Sequence, residues 1–463
     1  MKHLLLFLML YSTFGYASEI NGIVFLDNTT DHGGVVIKFN PVSPSAVYVE
    51  GISNSNGEYN VTVVNGVYNI SYEKTSYQIY TIADQLIYSD VTLNTVTLNS
   101  ASAIIVSGNV SGNWSNNNTY IVNGDIFIPQ NQTLIIEPGT EIRFNGYFSL
   151  IVNGTLKAIG TENNRITFTS NNTNPGHNDW NQIRFTYLSA SSEINHCIIE
   201  YGHLPDFDAT GLIEIAGGVT ILNSIIRHSQ GTGIKVAGGY AGNVLINNCD
   251  IYECEYGISS SGVGQLDISY NRIFDHSLIG IYEGTSSNSH VVISHNIVYN
   301  CPYSGIITHN DITISRNILF NNAIGNSYGA AIFVGGGTPM ISNNTMFSNQ
   351  NGVGIYDSNF FLPHPIINSN IIINSNGYGI FSQGEPQPAL VAYNLFDNNT
   401  NGVGNNLPVG VGSVITTNSN GTGSDAYYNI FSSAQLISTN ISDPDFCELN
   451  SNSDAVNAGD PNI

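Results

Sequence analysis

Positive charge is scarce in this chain. Of 463 residues only 11 are Lys or Arg, against 34 Asp or Glu, for a formal charge of −23 at pH 7. Nucleic acids and anionic membranes are held chiefly by cations that neutralise phosphates. Both are therefore excluded as main partners, and a bare polyuronate is disfavoured on the same ground. Beyond the N-terminal apolar stretch no long hydrophobic run occurs, so nothing is written that inserts a helix through a bilayer. Segments of helical length with a 3.6-residue apolar period are missing as well. Cysteine is sparse, with five in the chain.

What is present begins with a leader. Lys2, the apolar run Leu4 to Leu10, and Gly15-Tyr16-Ala17 before Ser18 form the three parts of a secretory signal peptide over residues 1–17. The expectation is an exported protein, extracellular or at the cell surface. Residues 18–100 alternate short strands with Gly and Asn turns, as in Ile20-Asn-Gly-Ile-Val-Phe25 and Asn65-Gly-Val-Tyr-Asn-Ile70. That texture predicts a small antiparallel β-sandwich.

From Ile194 to Phe396 one pattern recurs nine times: apolar, two residues, small polar, one residue, apolar. The small-polar position reads Cys197, Ser224, Cys249, Asn271, Asn296, Asn317, Asn344, Asn370 and Asn394, with steps between 21 and 27 residues. A near-constant period of this size means a solenoid. The repeats are β-branched, short and broken by Asn, Gly and Ser, as in Leu266-Asp-Ile-Ser-Tyr-Asn-Arg-Ile273, so each coil is built of strands. About ten residues after most of these positions a Gly-Ile type pair follows: Gly233-Ile234, Gly257-Ile258, Gly280-Ile281, Gly305-Ile306, Ala331-Ile332, Gly354-Ile355, Gly379-Ile380 and Gly402-Val403.

Strands that pair one coil later place equivalent residues roughly 4.8 Å apart, and the sequence becomes a set of columns. Stacked Asn amides can bond along the axis, each bond worth on the order of 1 kcal/mol. Two residues on, the column Ile199, Ile226, Ile251, Ile273, Val298, Leu319, Met346, Ile372 and Phe396 is the predicted core. The fold class is thus all-β: a parallel β-helix over residues 101–405, the small sandwich before it, and an irregular tail over 406–463 that either caps the exit coil or leads onward. An uncovered solenoid end would leave strand edges open.

On these columns, and on entry segments such as Leu134-Ile-Ile-Glu-Pro-Gly-Thr-Glu-Ile-Arg-Phe144 and Gly154-Thr-Leu-Lys-Ala158, the chain resembles the pectin-lyase-like right-handed parallel β-helix proteins from about Val106 to Phe396. The hand follows from that resemblance and from the preference for right-handed parallel crossovers. Residues 18–100 resemble a carboxypeptidase-regulatory-like domain through Gly57-Glu58-Tyr59 and Gly66-Val67-Tyr68, which implies a spacer or presentation module without catalysis.

The cysteines do not read as a disulfide framework. Cys197 and Cys249 share a column two coils apart, as do Cys254 and Cys301, and about 9 to 10 Å exceeds the limit of about 7 Å. Buried thiols are expected, with Cys447 unpaired. Cys254, His276 and Cys301 follow one another in an inward column, but two coils separate the sulfurs too far for zinc, so no metal site is assigned.

Chemistry is sought on outward columns. Three and four residues past the ladder position, Glu200, Arg227, His228, Glu253 and Asp275 gather over four coils. Glu253 and Asp275 stand about one coil spacing apart, near a retaining glycosidase pair, and closely placed carboxylates raise one pKa. For a lyase, Arg227 is the nearest base. The insertion Tyr201 to Gly211 is a candidate groove wall, and a solvated ion-paired patch is the alternative reading. No local motif of polygalacturonases or pectate lyases is written clearly.

Two aromatic stripes are candidates for sugar stacking: Tyr252, Phe274, Tyr299, Phe320 and Phe347, and, directly after the Gly-Ile pair, Tyr282, Ile307, Phe333, Tyr356 and Phe381. Self-stacking under covering loops is the competing account. The expected function is binding, with cleavage by a lyase or glycoside hydrolase as an open extension, of an extracellular polysaccharide by a monomer. No cofactor is required, although Ca²⁺ is admitted as a bridge to an anionic glycan. The alternative is a non-catalytic adhesive surface protein.

Overall fold

A computed structural model of the chain describes residues 17–43, 48–100, 102–189, 191–203, 210–237, 242–261, 264–284, 290–357, 362–384 and 387–461. The leader before residue 17 and most of the insertion between Tyr201 and Gly211 lie outside the described residues. Among the described residues every regular element is a strand, and no helix is long and apolar enough to cross a membrane. The chain divides into two compact units.

The first unit runs to Ile104 and takes in Ser115–Thr119. One of its sheets joins Ala17–Leu26 to Glu58–Val64, Val91–Thr92 and Val96–Leu98; the other has the order Val49–Ile52, Val36–Ser43, Gly66–Glu73, Tyr80–Ile87. Period-two alternation turns Ile20, Val24, Ile37, Phe39, Val61, Tyr68 and Ile70 into one shared core. Two buried hydroxyls there, Tyr59 and Tyr72, satisfy each other at 2.7 Å.

The second unit is a parallel solenoid whose coils carry three strands each. One face is a 12-stranded sheet from Gly112–Trp114 to Leu390–Ala392. The next, here the ladder face, holds the short strands that follow each ladder residue, such as Asp250–Tyr252, Arg272–Phe274 and Ile297–Tyr299. The third, the glycine face, holds strands such as Gly211–Ile215, Thr232–Val236, Ile279–Glu283 and Ser304–Thr308. Registers are parallel throughout, as in Ile251↔Ile273 and Ile258↔Ile281.

The ladder forms as expected. From Asn271 to Asn394 each Asn amide nitrogen donates to the side-chain oxygen of the next Asn at 3.0 Å, and each backbone N–H does so at 2.9 Å. The amide also reaches a carbonyl of the first face, for instance Asn296 Nδ2 to Ile268 O at 2.8 Å. Every polar atom is thereby paired, which is what permits an Asn column with exposures of 0 to 1%. The predicted core column from Ile199 to Phe396 is buried throughout.

Three features lie beyond the sequence reading. First, Asn394 donates onward to Asn429, and Asn429 ends the series on the buried carboxylate of Asp425 at 3.0 and 3.2 Å. Second, a further ladder stands five residues later, where Cys254, His276, Cys301, Asn322 and Asn349 follow one another. In it Asn322 Nδ2 donates to Asn349 Oδ1 at 3.1 Å, and Cys301 N to Asn322 Oδ1 at 3.2 Å. Cys254, His276 and Cys301 are thus rungs: Cys254 N donates to His276 Nδ1 at 3.3 Å, and burial pushes that imidazole down to about 4, where it is neutral at pH 7. All five cysteines are free and four of them are buried. Third, the residues flanking each ladder-face strand take left-handed φ, as in His196 (49°), Asn223 (49°), Glu253 (52°) and Asp275 (54°). These corners turn the chain from one face to the next.

The glycine face corrects one alignment. Ile332 pairs with Val353, and Val353 with Ile380, so Gly352-Val353 occupies the position that the pattern assigned to Gly354-Ile355. Close packing explains why glycine recurs there: a Cβ on Gly257 would stand 2.6 Å from the carbonyl of Gly280.

The tail belongs to the second unit. Ile430 bridges to Leu395 as a further coil, and the chain then returns over the ladder face, where Ile430, Ala434 and Ala458 form a second apolar cluster with Phe320, Phe347, Ile373 and Leu395.

Candidate functional site

On the ladder face the five proposed catalytic residues come together in part. Glu200 is buried and accepts from Arg227 Nε at 2.7 Å and from Thr169 Oγ1 at 3.1 Å. Arg227 also donates to the Tyr252 hydroxyl at 2.7 Å and lies over that ring. Burial works against its charge, but its bonds to Tyr252 and Glu200 prevail and hold the guanidinium above its ordinary value. Arg227, named from the sequence as the nearest base, is thus a cation anchored between Glu200 and Tyr252. His228 Nδ1 lies 2.6 Å from Glu253, and the ring stacks on Tyr201. Burial, with Arg227 and His177 against Glu253, lowers its pKa.

Asp275 accepts from Asn300 at 2.8 Å. Glu253 and Asp275 thus turn to different partners, and both occupy left-handed corner positions. Asp is among the residue types enriched in that region, whereas Glu is not. The two carboxylates expected from the columns to act as a pair are each engaged by their own neighbour, Glu253 by His228 and Asp275 by Asn300.

The first aromatic stripe is a continuous stack. Centroids of Tyr252, Phe274, Tyr299, Phe320 and Phe347 follow at 4.7 to 5.0 Å with interplanar angles of 1 to 15°. Neighbouring rings cover one another along the axis, so a sugar meets edges rather than open faces. Phe320 and Phe347 are also buried, with Phe446 edge-on to both at 5.8 and 6.3 Å. Phe320 is not offered to a ligand.

The outward column of the glycine face is different in kind. In register it reads Arg184, Glu214, Lys235, Ser259, Tyr282, Ile307, Phe333, Gly354, Phe381, about 38 Å at eight steps of roughly 4.8 Å. Tyr356 lies outside this column, because the register sets Gly354 beside Phe333. It meets Phe333 from the side at 5.8 Å and 32°. Ile307 and Gly354 separate Tyr282, Phe333 and Phe381, so these half-buried rings do not cover one another. Each instead meets rings outside the column: Tyr282 meets Tyr256 and His309 at 6.2 and 5.8 Å, and Phe381 meets Tyr378 and Tyr328 at 5.9 and 6.3 Å.

The other half of the column is charged. Ile213 and Ile215 enter the core, so Glu214 points outward, yet it is only 7% exposed; Lys235, between Ile234 and Val236, is 5% exposed. Glu214 Oε2 stands 3.5 Å from Arg184 Nε and, among the described residues, has no hydrogen bond. Lys235 Nζ donates to Ser259 Oγ at 3.1 Å. Charges are seldom buried on an outer face without cause, because desolvation costs several kcal/mol per ion. The reading of the columns missed this row. Lys235 and Ser259 each follow a Gly-Ile pair and were legible by the rule that gave Tyr282; Glu214 was hidden because Leu212 stands where that glycine recurs.

At the far end of the Tyr282 strand, Glu283 faces inward and is 1% exposed. It accepts from Asn310 at 2.6 Å and Thr308 at 3.1 Å. Burial pushes its carboxyl up to about 7.

A stacked, three-faced parallel solenoid with one mixed aromatic and charged outer column defines the class of protein. The family model for the right-handed β-helix region matches residues 183–337 and 256–424, and one for a pectate-lyase-like β-helix domain matches 106–213. The first covers more than half of the chain, and the chain belongs to the right-handed β-helix family. No curated protein matches it.

Among solved structures it is similar to a double mutant of the periplasmic alginate epimerase AlgG, at 14% identity over 65% of this chain and 85% of that one, TM-score 0.46. An alginate lyase from Paenibacillus sp. str. FPU-7 is similar at 14% identity over 62% and 92%, TM-score 0.30. A type II cohesin–X-dockerin complex from Acetivibrio cellulolyticus matches at 17% identity over 18% of this chain, TM-score 0.15; the chain spans 59% of the length of that match.

Proposed function

We infer that the mature protein is an exported polysaccharide-binding β-helix in which a sugar chain lies along the outward column of the glycine face. The observation that carries this reading is the column itself: half-buried aromatic rings at Tyr282, Phe333 and Phe381, not stacked on one another, in one line with Arg184, Glu214 and Lys235. Rings that do not cover one another give sugars their apolar faces, and flanking charged groups orient hydroxyls. The strongly acidic surface favours a neutral glycan, or an anionic one carried with Ca²⁺. The N-terminal sandwich, with its carboxypeptidase-regulatory-like turns, serves as a presentation module, and the protein acts as a monomer.

Affinity electrophoresis of the mature protein against a glycan panel, with and without Ca²⁺, tests this. Phe333→Ala and Tyr282→Ala should each weaken binding about tenfold or more, as for buried aromatic anchors. Unchanged retardation in both variants would remove the column from the reading. No retardation on any glycan would remove polysaccharide binding.

A second reading, cleavage, is favoured by one observation: Glu214 is a buried outward carboxylate with an oxygen that, among the described residues, lacks a hydrogen bond. Such a group is placed to exchange a proton with a bound sugar. Glu214→Gln should then retain binding and abolish the release of reducing or unsaturated ends. If the unaltered protein releases no ends from any glycan it binds, the adhesive alternative stands.

A further inference from the structure

The corner between the 12-stranded face and the ladder face carries a second open cavity, of about 420 Å³, on a different side of the coil from the column discussed above. Two guanidinium groups approach it along the axis from coils well separated in sequence. Arg165 stands at the corner beside Ile166, which pairs with Cys197, and its side chain passes over His196 to donate from Nη1 to Asn223 O at 2.6 Å. Arg272 reaches back one coil to Asp250, held at both ends of the carboxylate at 2.5 and 2.6 Å. Between them lie the amides of Asn223 and Asn248, themselves joined at 2.6 Å.

Arg165 is unusual for this chain. Six of the other cations are ion-paired with carboxylates, whereas Arg165, among the described residues, makes one hydrogen bond to a carbonyl and no ion pair. Arg165 lines the cavity with N–H donors left over from that bond, and Glu162 lines it as well. A planar guanidinium with free donors suits a planar or tetrahedral oxyanion. Asp250 is already saturated by Arg272, so it orients that cation more than it repels. His196, lowered by burial and by the charge of Arg165 against Glu162, is neutral and adds a polar wall.

We propose that this corner is a subsite for an oxyanion carried on a saccharide, with Arg165 as its principal ligand and Arg272 as its second. A polyanion is repelled by the surface as a whole, but a single acid group meets here a half-buried cation that, among the described residues, lacks a carboxylate partner. Carboxylate and sulfate share the required chemistry. This inference lies apart from the glycine-face column and rests only on the broader reading of the protein as a polysaccharide binder.

The test follows the side-chain Nε–H resonances of the arginines in the full mature protein at constant ionic strength. The titrants are D-glucuronate, glucose 6-sulfate and plain glucose. Saturable shifts of Arg165 and Arg272 with one or both acid sugars, at millimolar affinity, and none with glucose, are expected; which acid saturates first tells carboxylate from sulfate. Arg165→Ala should reduce affinity about tenfold. Arg165→Lys, which keeps the charge and removes the fork, should fall between. Absence of a saturable shift with both acids, or affinity unchanged in Arg165→Ala with its native spectrum intact, overturns the subsite. Neither outcome bears on binding at Tyr282 and Phe333.

Discussion

At the scale of single residues, Glu283 shows how a carboxylate can be kept inside a solenoid. It accepts hydrogen bonds from Asn310 and Thr308, yet burial dominates and its pKa rises from 4.5 to about 7. The folded state therefore prefers the protonated acid. This contribution is fully present below the unfolded pKa of about 4.5 and is lost as pH rises towards 7, on the order of 3 kcal/mol in total. His309, which burial lowers, works in the opposite sense and favours the folded state as pH rises. Glu283→Gln should thus be relatively more stable at pH 8 than at pH 4.5. Urea denaturation of both proteins at the two pH values checks this; parallel pH profiles would refute it. At this scale the sequence displayed Glu283 plainly but not its environment, because whether a strand's last residue faces in or out depends on where the coil turns.

At the scale of elements, the aromatic stack and the tail that covers it form one assembly. Phe446 contacts Phe320 and Phe347 edge-on, and Ile430, Ala434 and Ala458 complete the cluster. Phe446→Ala removes the anchor and should cost about 3 kcal/mol of local stability. Limited proteolysis should then cut between residues 431 and 461 much sooner, while the coils upstream stay resistant. Equal cutting rates would show that the cover does not depend on this ring. The stripe of rings was legible as a column, since its members recur at the period of the coil. That they spend their faces on one another, and that the last two are roofed, was not legible: the roof comes from residues about a hundred positions later with no period of their own. The same limit applies to Glu253 and Asp275. Their spacing suggested a catalytic pair; the left-handed corners they occupy, and His228 and Asn300 as their separate partners, were not legible.

At the scale of the whole solenoid, the Asn ladder has a direction. Each amide donates towards the C-terminal coil, so the last rung must meet a group that only accepts. Asp425 meets this need: it is fully buried and receives Asn429 Nδ2, the backbone N–H groups of Tyr427 and Asn429, and that of Gly412. Asp425→Asn would place an amide donor among these donors. The expected cost is on the order of 2 to 4 kcal/mol, concentrated at the C-terminal end. Hydrogen exchange should accelerate first at Asn394, Asn429 and their neighbours, and uniform protection along all coils would contradict the assigned role. Asp425 was not singled out from the sequence because the step from Asn394 to Asn429 exceeds the repeat.

By itself the sequence determined the coil. A short apolar and polar pattern, repeated at a nearly fixed length, dictates which residues stack, since parallel strands permit one spacing and a buried amide has only its neighbours to bond. Tertiary structure alone decided which columns are open to ligand. Exposure depends on corners, insertions and a returning tail that break the period, so the covered ring at Phe320, the burial of Glu214 and of Lys235, and an Arg165 with no carboxylate partner among the described residues emerge only once the coils are stacked and their aperiodic segments are laid across them.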